Sequence, residues 1–273
     1  MKIVDFMKDL YNFTDPVEEH YARTCDVLKA GNPEQELGGK VATAMFPTPE
    51  VIRAVQTWGA KLLIVHEPMY YDHWDSIQTL EQQTGLKRQI LDRKRKLVED
   101  SGIVVYRWHD HPHYAEADWI SKGEVKYFGL TGTWEKGTTF AQNYFNLEKP
   151  MTAREMAAVM EKNLGVAHIR IAGAADVPFR RLGLLFGAAG GLENCLSNCD
   201  AVLAGETCEW ANSEFVRDCS QLGIPKALLV MGHIGSERDG MRLLADVLPD
   251  RYSGIEARYF ECDEVYTYTD TQR

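Results

Sequence analysis

Residues 61–67 read KLLIVHE. Four consecutive apolar side chains, Leu62 to Val65, run without alternation. That pattern describes a strand buried on both faces, as found in a parallel or mixed sheet with helices on either side. The run ends on a histidine and a carboxylate, an abrupt change at the mouth of a buried strand.

Working outward, KVATAMF (40–46) reads as a neighbouring strand and TPEVIRAVQTWGA (48–60) as the helix after it. Thr48 stands at the cap position of that helix and Pro49 at its first turn. Residues 76–100 carry a helical pattern interrupted near Gly85, and IVVYRWH (103–109) is the next strand. The theme repeats further on. TAREMAAVMEKNLG (152–165) is an amphipathic helix with a glycine stop. AHIRIAG (167–173), RRLGLLFG (180–187), DAVLAGE (200–206), PKALLVMGH (225–233) and IEARYFE (255–261) are strands, with helices expected near 209–221 and 236–247. Strands alternating with helices predict an α/β protein with mixed or largely parallel sheets flanked by helices. The stretch 116–150 is less regular and carries Gly123, Gly129, Gly132 and Gly137. It divides an N-terminal α/β lobe, 1–130, from a C-terminal α/β lobe, 131–273.

The 273 residues are 45% hydrophobic and 26% charged, enough to bury a core without disulfide staples. The net charge of −10 disfavours nucleic acid as a general partner. The one dense basic run, Lys87, Arg88, Arg93, Lys94, Arg95 and Lys96, is interleaved with acids and reads as a solvated helix face. The six cysteines form no C-x-x-C pair, and Cys195 and Cys199 read as buried or half-buried thiols on one helix. MKIVDFMKDLYNF lacks the apolar core of a signal peptide, and no apolar run reaches about 18 residues, so a cytoplasmic protein with no membrane partner is expected.

Polar clusters follow three of the strands: His66-Glu67; His109-Asp110-His111-Pro112-His113; and His233 with Glu237 four residues on. Open α/β sheets place ligands beyond the carboxyl ends of their strands. In an extended segment His109, His111 and His113 would share a face. Imidazole and carboxylate together suit Zn, Fe or Mn. Strand ends of one sheet converge, so these clusters can build one metal centre. The loop 187–191, GAAGG, can either receive an anion on its backbone N–H groups or pack closely as a tight turn.

These motifs resemble the NIF-three-like family of hexameric proteins with a dinuclear metal centre, often called "GTP cyclohydrolase I type 2 homologue". IVHEP is similar to the family's I-x-H-H-P, VYRWHDHPH to V-Y-S-x-H-T-N-x-D, and FGAAGG to its G-x-G-G loop. DAVLAGE is similar to D-x-x-x-T-G-E, and MGHIGSE to G-H-x-x-S-E. The resemblance implies a metal site between the two lobes. It carries over His66, His233 and Glu237 as ligands, and places Glu67 where the family has a second histidine and His113 where it has an aspartate. The implied set His66, Glu67, His113, His233 and Glu237 again holds three histidines and two carboxylates, as if ligands had been exchanged between positions. His109 matches a family position that orients a ligand or meets substrate. With Glu67 it is the candidate catalytic residue. Glu206 closes its strand, and His20, His73 and His168 are structural or exposed.

The resemblance further implies two divalent ions and a homo-oligomer, a hexamer built as a trimer of dimers. The expected activity is metal-dependent hydrolysis of a small, anionic substrate. The alternative expectation is a non-catalytic metal-binding, metal-delivery or regulatory scaffold.

Overall fold

A computed structural model describes residues 1–166 and 168–268. In chain order the first elements are α1 (Ile3–Thr14), β1 (Leu28–Ala30), β2 (Lys40–Ala44), α2 (Pro49–Trp58), β3 (Leu62–Val65), α3 (Ile77–Glu81), α4 (Gly85–Ser101), β4 (Val104–Arg107) and α5 (Asp110–Tyr114). Then come α6 (Trp119–Tyr127), β5 (Gly132–Lys136), β6 (Gln142–Met151), α7 (Ala153–Leu164), β7 (Arg170–Gly173), β8 (Phe179–Leu185), α8 (Leu192–Ser197) and β9 (Ala201–Ala204). A π-helical turn, Glu209–Ser213, runs into α9 (Glu214–Gln221), followed by β10 (Ala227–Val230), α10 (His233–Arg251) and β11 (Glu256–Tyr259). Ala167, expected to open a strand, lies outside the described residues.

The chain forms two compact units, Met1–Ala115 with Met241–Cys262, and Glu116–Gly240 with the tail from Asp263. The boundary expected at residue 130 therefore falls at Ala115/Glu116, and the first unit takes the chain back at Met241. The reason is β11, whose Glu256–Tyr259 pair in parallel with Lys40–Thr43 of β2. Sequence pattern shows that β11 is a strand but not which sheet it joins.

The first unit holds a five-stranded sheet of order β1-β4-β3-β2-β11, parallel except for β1. All four residues of β3 are buried, as a strand covered on both faces requires. One side packs Val51, Ile52 and Val55 of α2 and Leu91 and Val98 of α4 against Leu63, Val65 and Val105. Helix α1 buries Ile3, Phe6, Met7 and Leu10, a stripe at helical spacing. The α2 helix starts as its sequence dictates: Thr48 Oγ1 accepts from the Val51 N–H at 3.2 Å, Pro49 occupies the first turn, and Gly59 ends it at φ 85°. Of the basic run, Arg88 and Lys96 each pair at 2.9 Å with the aspartate four residues on, while Lys94 turns inward and donates to the Met69 carbonyl at 2.6 Å.

The second unit holds a six-stranded sheet of order β5-β6-β8-β9-β10-β7. Strands β8, β9 and β10 are parallel, and β5, β6 and β7 add antiparallel neighbours. The irregular stretch 116–150 thus contains a helix and a hairpin. Its core gathers Leu185, Val202, Leu228, Cys195 and Cys199. Helix α7 carries a full capping box, with Thr152 and Glu155 each bonding the other's backbone N–H. The fold is mixed α/β, two sheets flanked by helices, as expected.

Candidate metal centre

In the first unit, Val65 of β3 pairs with Arg107 of β4, so the chain leaves both strands side by side. His66 follows one and His109 the other. The segment after β4 is not extended: Asp110–Tyr114 is a short helix. This corrects the expectation that His109, His111 and His113 share a face. Helical spacing places His109 and His113 together, four residues apart, and turns His111 away. Ring centroids of His66, His109 and His113 lie 4.7–5.2 Å from one another, and one ligand nitrogen from each falls within a 4.8 Å group.

Hydrogen bonds fix how these rings present themselves. His66 Nδ1 donates to the Trp108 carbonyl at 3.0 Å, and His109 Nδ1 to Asp110 Oδ1 at 2.8 Å. In each ring Nε2 then carries the lone pair, the arrangement by which second partners orient metal-ligating histidines. Burial, partly opposed by the bond to Asp110, lowers His109 to about 4, so its imidazole is neutral at pH 7. Asp110 also accepts from Thr24 Oγ1 at 2.7 Å and the Cys25 N–H at 3.0 Å. Burial pushes the Cys25 thiol up, and Cys25 Sγ donates to Asp110 Oδ1 at 3.4 Å; Cys25, His109 and Asp110 form a further group whose ligand atoms lie within 4.8 Å of one another.

Two residues that the sequence did not single out hold this cluster. The fully buried Arg107 donates Nε to the His66 carbonyl at 2.8 Å, Nη1 to the His73 carbonyl, and Nη2 to Glu67 Oε2 at 3.3 Å. It clamps both ends of the loop that carries His66 and Glu67. Glu67 Oε1 is left 3.9 Å from His109 Nε2. Asp26 gathers the turn after β4: Oδ1 accepts from His109 N–H at 2.6 Å, and Oδ2 from His111 N–H at 2.8 Å and His111 Nδ1 at 2.7 Å. Arg107 was findable as a lone charge inside IVVYRWH. Asp26 carries no local signal, because its partners are more than eighty residues away.

In the second unit, Leu185, Ala204 and Val230 stand in register across β8, β9 and β10. The residues after them, Gly187, Glu206 and His233, therefore emerge next to one another. Glu206 Oε1 meets His233 Nδ1 at 2.6 Å, which gives the end of the AGE motif a partner: it orients His233 as well as closing its strand. His233 Nε2 faces Glu237 Oε2 at 3.2 Å, one helical turn on in α10.

The GAAGG loop is closely packed at its Gly187 end and open at Gly190 and Gly191. A Cβ on Gly187 would sit 2.3 Å from Glu237 Oε1, and one on Gly205 would sit 2.4 Å from Ser236 Oγ. Ser236 Oγ in turn accepts from the Gly187 N–H at 2.9 Å and donates to the His233 carbonyl at 2.9 Å. Gly187→Ala should therefore displace the Glu237 carboxylate. It should also lose about 1–2 kcal/mol, because Gly187 sits at φ 59°. Gly190→Ala, with nothing within 4 Å of the added carbon, should change little. Thermal melts and metal content of the two variants measure the contrast, and equal effects would refute it.

The family profile of Duf34/NIF3 (NGG1p interacting factor 3) matches residues 2–264. The chain belongs to the Duf34/NIF3 family. A Clostridium perfringens (strain 13 / Type A) protein named GTP cyclohydrolase 1 type 2 homolog is 25% identical over 224 residues, 77% of each chain. Among solved structures, the protein ybgI superposes with a TM-score of 0.74 at 20% identity, covering 97% of this chain and 99% of that one. HcgD from Methanocaldococcus jannaschii, in its reduced form, gives 0.70 at 16% identity over 95% and 97%. Staphylococcus aureus SA1388 gives 0.70 at 16% over 100% and 99%. At such identities the structures establish a shared Duf34/NIF3 fold. Among the described residues no helix is long and apolar enough to cross a membrane.

Proposed function

We propose that this Duf34/NIF3 protein binds two divalent metal ions, Zn, Fe or Mn, and is a metal-dependent hydrolase of a small anionic substrate. The observation that carries this reading is the trio His66, His109 and His113, whose ligand nitrogens lie within 4.8 Å of one another. The two hydrogen bonds on Nδ1 of His66 and His109 aim the lone pairs of that group. In the second unit, a His233 whose Nδ1 bonds Glu206 presents Nε2 to a carboxylate oxygen only 3.2 Å away, a pair of acceptors that a cation satisfies. The donors fit a divalent ion of intermediate softness.

In this reading the ligands are the implied set His66, Glu67, His113, His233 and Glu237, joined by His109. With Nδ1 committed to Asp110 and Nε2 to the cluster, His109 serves as a ligand rather than a general base. Glu67, the other catalytic candidate, is positioned by Arg107. A bound divalent ion supplies acidified water and a clamp on the attacking and leaving oxygens. The burial of His66 and His113, 0% and 5% exposed, favours a second reading, a closed site that stores or delivers metal without catalysis.

Elemental analysis of protein purified without chelator tests the proposal. Two ions per chain are expected, and His66→Ala should lose at least one of them. A chain that takes up no Zn, Mn or Fe would remove both readings. Exchangeable metal-bound water, together with turnover on a phosphoester and nucleotide panel, separates the hydrolase from the closed site.

A further inference from the structure

We propose that a groove in the first unit, between the edge strand β1 and the C-terminal half of α4, binds a small organic carboxylate with an apolar body. The groove has a volume of about 720 Å³. Strand β1 forms one wall, the loop after β3 a second, and Arg95, Val98 and Glu99 of α4 a third. At its inner end is the ammonium of Lys29, whose side chain is only 4% exposed. An ammonium carries three N–H donors. Among the described residues Lys29 Nζ makes one hydrogen bond, a long one of 3.3 Å to the Trp74 carbonyl, while Asp75 Oδ2 stands 3.8 Å away, outside hydrogen-bond reach. A buried charged donor with spare N–H groups in a cavity wall calls for an acceptor that the protein itself does not supply.

The charges nearby select the ligand. The Asp75 carboxylate accepts from the Met69 and Tyr70 N–H groups, both at 2.8 Å, which fixes it beside Lys29. Burial lowers Lys29 from 10.5, and the charge of Asp75 opposes the fall and holds the amine protonated. The same carboxylate acts on a second buried ammonium, Lys94, which burial lowers to about 8, so that it too is mainly charged at neutral pH. Two buried cations thus share one carboxylate. Near the mouth, Arg95 and the exposed Glu99 offset one another. The surplus positive charge lies at the inner end, where a carboxylate oxygen can take the spare N–H groups of Lys29. A phosphate dianion would bring a second negative charge against Asp75. Leu28, Leu80, Val98 and Ile103 supply an apolar lining for the body of the ligand. None of the lining residues is a proposed metal ligand, so the site does not rest on the metal reading.

The test is a calorimetric titration of the purified protein at neutral pH with 3-phenylpropionate, with 3-phenylpropanol and 3-phenylpropylammonium as neutral and cationic counterparts. The carboxylate should bind saturably and about tenfold or more tighter than the alcohol, the value of one charge-assisted hydrogen bond, and the ammonium ion should not bind. Chelator should leave that order unchanged. Lys29→Met, which keeps most of the stem, should bring the carboxylate down to the affinity of the alcohol while the alcohol itself stays within about twofold of wild type. Arg95→Gln, which leaves Glu99 unopposed at the mouth, should weaken the carboxylate a few-fold. The proposal is overturned by no saturable binding of the carboxylate, by equal affinity for the three probes, or by a carboxylate response that chelator abolishes. A folded Lys29→Met that binds the carboxylate as wild type does overturns it as well, and leaves Lys29 and Asp75 a structural ion pair beside a solvent-filled groove. If Lys29→Met does not fold, the order of the three probes and Arg95→Gln decide.

Discussion

Arg107→Met should destabilise the protein by roughly 3–5 kcal/mol, the cost of removing one partner from a buried ion pair. The arginine is fully buried and its guanidinium serves three acceptors at once: the His66 carbonyl, the His73 carbonyl and the Glu67 carboxylate. Methionine fills the volume and supplies none of those hydrogen bonds. Glu67, only 7% exposed, then keeps its charge without the guanidinium. The effect should be largest in chelator, where no divalent ion offsets that charge. Pairing Arg107→Met with Glu67→Gln should restore part of the loss, and a double-mutant cycle by urea denaturation measures how much. A loss below about 1 kcal/mol for the single variant would mean the clamp is not what holds the loop.

Asp26→Asn should cost about 2–4 kcal/mol and lower metal content at the same time. The carboxylate receives two backbone N–H groups and one ring N–H. An amide keeps one acceptor oxygen and turns its NH₂ toward two donors, so the turn that sets His109 and His113 must shift. The change also has a pH signature. Burial and the neighbouring Asp110 charge push the Asp26 carboxyl up, but the hydrogen bond it accepts from His111 leads the effects that outweigh them, and the group lies below the ordinary carboxylate range. Asp110 is depressed too, by bonds from His109 and Thr24 that overcome its burial. A carboxyl whose folded pKa is below its unfolded value adds stability that is full above about pH 4 and is lost as pH falls further. Asp26→Asn removes one such group, so its stability should fall less steeply on acidification than wild type. Parallel acid-side slopes with unchanged metal content would show that Asp26 does not govern the turn.

Much of the fold lies in local pattern. The unbroken apolar run 62–65 reads as a strand covered on both faces, and all four residues are buried in β3. The caps at Thr48 and Thr152, with the stops at Gly59 and Gly165, placed two helices to within a residue or two. Such features depend on side chains a few positions apart, and a sequence displays those directly. The polar ends of the strands were legible for the same reason, and so were His66, Glu67, His113, His233 and Glu237 as candidate ligands with His109 beside them.

Other features were decided only by tertiary structure. Whether 109–113 is extended or helical depends on the Asp26 carboxylate gathering its N–H groups, and that sorted His111 out of the histidine trio. The buried charge of Arg107 is tolerable only because three acceptors from another loop meet it. The space for Glu237 exists because Gly187, fifty residues earlier, has no side chain. The return of the chain to the first unit depends on β11 finding the edge of β2. In each case the deciding interaction joins residues far apart in the chain. Periodicity and spacing are local, so they fix which elements form and which side chains are available, whereas long-range hydrogen bonds and steric fit fix which of those side chains meet.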